Sequence, residues 1–180
     1  MAEQFASLSD ELIDWINQQH VYFVATAAQQ GRVNLSPKGQ DSLSVVNGNE
    51  LVWMNLTGSG NETAAHLQEV NRMTLMWCGF AGLPRILRVY GSAQTIHPRD
   101  SDWAACTDLI PAPVGARQYY RVTIDLVQTS CGYAVPFMDF VEDRQVLSNW
   151  AEKRGEQGVQ DYWQDRNQTS LDGLPTGVID

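Results

Sequence analysis

A chain of 180 residues with 43% apolar and 18% charged side chains is long enough to bury one sizeable core and has an ordinary globular composition. Its formal net charge of −9 is uneven: residues 1–14 hold four acids and no base, residues 139–180 nine acids and four bases, and the body between them eight of each. Acidic ends without a basic stripe exclude nucleic acid and a polybasic membrane contact as partners, and no apolar run approaches the roughly 20 residues that span a bilayer.

The acidic start, Met1–Asp14, lacks the basic-then-apolar pattern of a secretory leader, so a cytoplasmic location is expected. Cys78, Cys106 and Cys131 are odd in number and far apart, without the spacing of a zinc site, and read as reduced thiols. No metal site is expected.

In chain order, Ser9-Asp10-Glu11 opens a helix whose Leu8, Leu12, Trp15 and Ile16 recur at helical spacing. Val21–Ala27 reads as a strand, turned by Gln30-Gly31 into a second strand, Arg32–Leu35, which ends in the turn Ser36-Pro37-Lys38-Gly39. Asn47-Gly48-Asn49 joins Leu43–Val46 to Leu51–Asn55 as a hairpin. A glycine-rich turn, Gly58-Ser59-Gly60-Asn61-Glu62-Thr63, then opens a helix over Ala64–Val70.

Met73–Phe80 and Ile86–Thr95 follow as strands, Arg99–Asp108 as a short helix with Trp103 on its inner face, and Gln118–Gln128 as an alternating strand. Beyond Ser130 come a loop, Cys131–Pro136, two helices over Val141–Arg154 and Gln157–Asn167, and the turn Asp172–Gly177. Six or seven antiparallel strands with helices at the ends suggest a small closed barrel.

The chemistry concentrates between Gly31 and Trp77. A helix that starts near Gly60 leaves its first N–H groups unpaired and directs its positive dipole end outward, an arrangement that holds an anion. Asn61 and Thr63 can add donors. The competing reading is internal: Ser59 and Glu62 have the spacing of a capping box, which would satisfy the same N–H groups. Lys38 favours the anion, being the lone lysine of the neutral body and placed just after a strand.

The series from Gly31 through Ser36-Pro37-Lys38-Gly39, the hairpin, Gly58–Thr63, the helix, Asn71–Trp77 and Leu87-Arg88-Val89-Tyr90-Gly91-Ser92-Ala93 resembles the pyridoxamine 5'-phosphate oxidase-like family, over roughly residues 8 to 128. The resemblance implies a mainly β fold with flanking helices: a six-stranded antiparallel split barrel of Greek-key, FMN-binding type. It places the barrel and N-terminal helix in residues 1–130, with residues 131–180 as a helical extension packed on the same domain. It further implies a homodimer that binds flavin mononucleotide at the interface and works as a flavin-dependent oxidoreductase on a small soluble substrate.

Carried onto this chain, Arg32, Ser36 and Lys38 fall on the strand and turn that meet the flavin. Thr57, Asn61 and Thr63 fall where its phosphate is held, and Arg88 on the later strand that closes the groove. Where relatives carry a basic pair at the helix start, this chain has Glu62-Thr63, and its end, Ser170–Pro175, lacks the basic motif of the true oxidases of vitamin B6. No general base is identifiable. Two alternatives stand beside a flavin enzyme: a flavin-binding or ligand-sensing protein without turnover, and a split barrel with another cofactor or none. A deazaflavin or haem would serve as that cofactor, with His20, His66 or Tyr133 available as axial ligands to haem.

Overall fold

The computed structural model describes residues 2–179 and threads them as β1 (Glu3–Phe5), α1 (Asp10–Ile16), β2 (Tyr22–Thr26), β3 (Asn34–Lys38), β4 (Leu43–Asn47), β5 (Glu50–Leu56), α2 (Glu62–Glu69), β6 (Met73–Cys78), β7 (Arg85–Ile96), α3 (Trp103–Leu109), β8 (Ala116–Cys131) and α4 (Val146–Arg166). The sheet runs in the order β3-β2-β6-β7-β8-β5-β4, with β1 added to β8, and each pairing is antiparallel. The architecture is therefore mainly β with flanking helices, as expected. Two expectations need correction: there are eight strands rather than six among the described residues, and the sheet is open rather than closed, since β3 and β4 end it without pairing to each other.

β8 explains both. It is 16 residues long; β7 runs along one edge, while β5 takes the first part of the other edge and β1 the remainder. The three residues of β1 are all exposed, so their attachment rests on backbone pairing and leaves no hydrophobic alternation to read. The long β7–β8 pair is broken in register between Tyr90 and Gly91. A Cβ on Gly91 would lie 2.0 Å from the Thr123 carbonyl oxygen, so this crossing admits no side chain.

β3 is displaced from its expected position. The strand covers Asn34–Lys38, so Ser36, Pro37 and Lys38 belong to the strand itself and the turn falls at Gln40 and Asp41, both at positive φ. Proline is tolerated because β3 is an edge strand whose outer N–H positions need no partner. Lys38 is thereby fixed by pairing with Tyr22 instead of riding on a loop.

The main core lies on one face of the sheet, where α1 and α2 bring Leu12, Trp15, Ile16, Ala64 and Leu67 against strand residues such as Trp53, Leu75, Trp77 and Leu87. Trp53 stacks on Tyr120 with ring centroids 4.5 Å apart. On the other face, Val52, Met54, Ile96 and Tyr119 are covered by α3 through Cys106, and Trp103 meets Tyr119 edge-on at 4.7 Å. β5 is buried on both faces, which is why its sequence reads as a continuous apolar run.

The C-terminal segment differs from its expected form at one end. Residues 141–145 are not helical, and α4 begins at Val146. The expected interruption before Gln157 is present as Gly155, whose φ of 67° and ψ of 173° break the helical path. From there the chain folds back over the glycine-rich turn. Trp163 donates its indole N–H to the Thr57 hydroxyl (2.8 Å), and Asn167 donates to the Gly58 carbonyl (3.1 Å).

Candidate functional site

A cavity of about 620 Å3 opens between β3, the end of β5, the glycine-rich turn and the returning C-terminal segment. Its lining includes Arg32, Ser36, Lys38, Asn61 and Thr63, so five of the residues singled out in the sequence meet here. Thr57 and Arg88 do not line it. The Thr57 hydroxyl donates to the Gly115 carbonyl (2.8 Å) and accepts from Trp163, so its hydrogen-bonding capacity serves packing of the C-terminal segment. Arg88, on β7, donates to the Ser130 hydroxyl (3.3 Å) on the neighbouring strand.

The helix start is not closed on itself. α2 begins at Glu62 with Asn61 as its N-cap, and no side chain caps it. The capping box of the competing reading is absent: the Glu62 carboxylate accepts instead from the Leu171 backbone N–H at 3.0 and 3.2 Å, and both residues line the cavity. Asn61 is buried, yet neither its amide nitrogen nor its carbonyl oxygen has a partner. A side-chain amide left unsatisfied inside a protein costs about 1–3 kcal/mol, a cost that a ligand at this position would relieve.

Lys38 is half-buried beside it. Its ammonium donates to Asn55 Oδ1 (3.2 Å) and lies 5.2 Å from the centroid of the Trp53 ring. The Asn55 amide continues to Gln118 Oε1 (3.3 Å), which also accepts from the Tyr120 hydroxyl (3.4 Å). This amide relay orients Lys38 and supplies no negative charge. Loss of water pulls its pKa down to about 8, and the nearby Arg117 guanidinium pushes in the same direction.

Arg117 is a second cation of the cavity, which the sequence did not single out. It is buried in the cavity wall, donates to Asn167 Oδ1 (2.6 Å), and has a second guanidinium nitrogen, Nε, with no partner. Burial lowers its pKa to about 10, partly offset by Tyr120 and Tyr162. Its position comes from a bulge: Asn55 pairs with Gln118 but Leu56 pairs with Ala116, so Arg117 is skipped in the ladder. An unpaired residue of this kind is turned out of the strand's normal alternation.

The remaining charges of the cavity are already engaged. The Arg32 guanidinium and backbone N–H both meet the Asp172 carboxylate, the backbone contact being 2.7 Å. Asn34 bridges two predicted residues, donating to the Thr63 hydroxyl (3.4 Å) and accepting from Ser36 (3.0 Å). Of the haem-ligand alternatives, His66 is buried with Nδ1 3.1 Å from the Thr26 hydroxyl, His20 stacks on Phe140 at 3.7 Å, and Tyr133 is exposed. None of these three lines the cavity.

The site is therefore a groove with two desolvated cations that meet no carboxylate among the described residues, beside an open helix N-terminus and an unsatisfied buried amide. That donor set fits a phosphate-bearing ligand. None of the described helices is long and apolar enough to cross a membrane.

Comparison with known proteins agrees with the geometry. The family model described as pyridoxamine 5'-phosphate oxidase matches residues 8–131. A curated relative from Aspergillus flavus, the pyridoxamine 5'-phosphate oxidase family protein ustO, is 37% identical over 95% of this chain and 76% of its own. Among solved structures, a putative pyridoxamine 5'-phosphate oxidase from Lactobacillus delbrueckii is similar at 20% identity, with a TM-score of 0.52 over 68% of this chain and 94% of that one. HupZ of Group A Streptococcus is similar at 16% identity, with a TM-score of 0.53 over 66% and 91%. The two structures share the fold, and the family model and the curated relative carry the assignment: the chain belongs to the pyridoxamine 5'-phosphate oxidase-like family.

Proposed function

We propose that the groove binds flavin mononucleotide and that the protein is a flavin-dependent oxidoreductase acting on a small soluble substrate. The observation that supports this reading most directly is the pair Lys38 and Arg117, two cations withdrawn from water without a carboxylate to meet them. Buried charge without a counter-charge is strongly unfavourable, and an anionic ligand offsets it. Bound flavin would supply exchange of an electron pair as hydride, which the side chains of this chain cannot.

The residues divide the task by position. Asn61, Thr63 and the open backbone N–H groups of α2 hold the phosphate, while Arg117 neutralises charge from the opposite wall. Lys38, oriented by Asn55, places its ammonium where negative charge on the ring is stabilised. Glu62 also lines the cavity, and the Leu171 N–H donated to its carboxylate offsets part of the negative charge it presents there. Gly58 leaves the turn open: a Cβ there would make only ordinary contact, with the Gly60 carbonyl at 3.9 Å.

The same reading includes a homodimer and a cytoplasmic location. Val33 and Leu35 on and beside edge strand β3 are 72% and 62% exposed, and Phe137, Met138, Phe140 and Val141 form a second exposed apolar run. A second copy would cover them. Three free cysteines fit a reducing compartment.

The test is an absorption spectrum of the purified protein before and after excess flavin mononucleotide, with unbound flavin removed by desalting. Retention of about one flavin per chain is expected, followed by turnover with a reductant and an artificial acceptor. Colourless protein after desalting overturns the cofactor assignment; retained flavin without turnover leaves a binding protein. Light scattering that gives a monomer at micromolar concentration overturns the dimer.

A further inference from the structure

A second cavity, of about 570 Å3, adjoins the first and shares Lys38, Leu56, Gly58 and Ser59 with it. Its other wall is made by the start of α4 and the segment before it, and its apolar lining comes from Met54, Leu56, Leu147, Trp150 and Tyr162. Trp150 and Tyr162 meet edge-on with centroids 5.1 Å apart, the Arg154 guanidinium lies over the two rings at 4.9 and 5.4 Å, and both aromatic residues line the cavity. The segment before α4 is pinned in place, since the Gln40 side-chain amide donates to the Arg144 carbonyl at 2.6 Å.

Charge selects among apolar occupants. The chain carries 21 acids and 12 bases, yet among the described residues the only charged ones that line this cavity are Lys38 and Arg144. Lys38 faces both cavities from the floor, and Arg144 stands exposed at the rim. A neutral apolar molecule would leave both without a counter-charge, whereas an aromatic ring bearing one acidic group would meet the aromatic residues and the cationic end together. The size matches an ordinary small-ligand pocket, for which about 300–1,000 Å3 is typical.

From this juxtaposition we infer that the cavity beneath α4 is the substrate pocket and that the substrate is a small aromatic acid, with its ring against Trp150 and Tyr162 and its carboxylate toward Lys38 and Arg144. Its role as substrate pocket rests on the flavin reading of the adjoining groove; its preference for an aromatic acid does not. The C-terminal helix thereby sets specificity, and the sheet with α2 holds the cofactor.

The experiment is calorimetric titration of the full-length protein, with and without added flavin mononucleotide, using 4-hydroxyphenylacetate and its neutral amide as probes. The acid is expected to bind at least about tenfold more tightly than the amide, a difference of about 1.4 kcal/mol. Leu147→Glu should weaken the acid by at least about tenfold while flavin is retained, and Leu147→Met should leave it unchanged. Acid and amide binding alike, or neither binding to flavin-loaded protein, overturns the pocket assignment. Discrimination of acid from amide in protein that retains no flavin keeps the binding preference and removes the role as substrate pocket, so the two readings fail separately.

Discussion

Two groups of cations in this protein contrast. Arg32, Arg85 and Arg121 each meet a carboxylate, of Asp172, Glu11 (2.7 Å) and Glu50 (3.4 Å) respectively. Lys38 and Arg117 donate to the amide oxygens of Asn55 and Asn167 and meet no carboxylate among the described residues, although both are more shielded from water than Arg32. A paired surface cation contributes to the fold and is complete as it stands. A desolvated cation without a counter-charge lowers the stability of the empty protein and gains its partner only from outside. Both unpaired cations line the cavity beside the start of α2, one from β3 and one from β8.

The substitution that breaks this division most sharply is Arg117→Met. Loss of a charge-assisted contact to a phosphate should weaken flavin mononucleotide by about 2–3 kcal/mol, or roughly 30- to 150-fold. Folding stability should change by no more than about 1 kcal/mol, because the relieved desolvation offsets the hydrogen bond lost from Asn167. Fluorescence titration with flavin and urea denaturation read the two quantities independently. If stability fell while affinity held, Arg117 would move to the paired, structural kind.

Lys38→Met is expected to cost about 1.5–3 kcal/mol of flavin affinity and to carry a pH signature. The folded protein holds the Lys38 proton less tightly, near pH 8, than the unfolded chain does, near the ordinary lysine value of about 10.4. Between those values the unfolded state binds more protons, so stability should rise as pH increases from about 8 to about 10.4 and show no such rise below 8. Flavin affinity should fall over the same interval as the ammonium is lost. Denaturation at a series of pH values, wild type against Lys38→Met, should show that rise only in the wild type.

How far the site could be read from the sequence follows the same division. Lys38, Asn61 and Thr63 stand beside Pro and Gly punctuation or at a helix start, and local rules point to them. Arg117 does not, because it is placed by a bulge that only the pairing of β5 with β8 reveals. Alternation or a continuous apolar run gave β2, β4, β5, β6 and the middle of β8, whereas β1 has no buried face and β3 was displaced by a proline allowed only at a sheet edge. The fate of Glu62 was illegible because its partner, Leu171, lies 109 residues away. A capping box is a local pattern, and here a distant backbone N–H outcompetes it.

Asn61→Ala has a smaller expected effect, about 1.5 kcal/mol in flavin affinity, since one of several charge-assisted hydrogen bonds to the phosphate is lost. The empty protein should gain slightly in stability, because an unsatisfied buried amide is removed. A gain in thermal midpoint together with weaker flavin binding would mark Asn61 as a ligand group. Equal loss of both would mark it as a cap.

Asp172→Asn should have the smallest effect on binding, with flavin affinity within about twofold of wild type, because Asp172 belongs to the paired set. The Arg32 backbone N–H, and then the Arg32 guanidinium, hold the Asp172 carboxyl below its ordinary pKa. Its stabilising contribution is therefore complete above about pH 4 and is lost as pH falls through the lower, folded value. The substituted amide would keep one acceptor for the backbone N–H and lose the ion pair, so the consequence should be local. Limited proteolysis should cut the 169–178 segment faster in the variant at pH 7, and the difference from wild type should vanish at low pH, where both lack the charge. If flavin affinity fell with loss of the Arg32–Asp172 ion pair, the C-terminal segment would be holding the cofactor groove closed, and the division into structural and ligand-directed cations would end at Arg32.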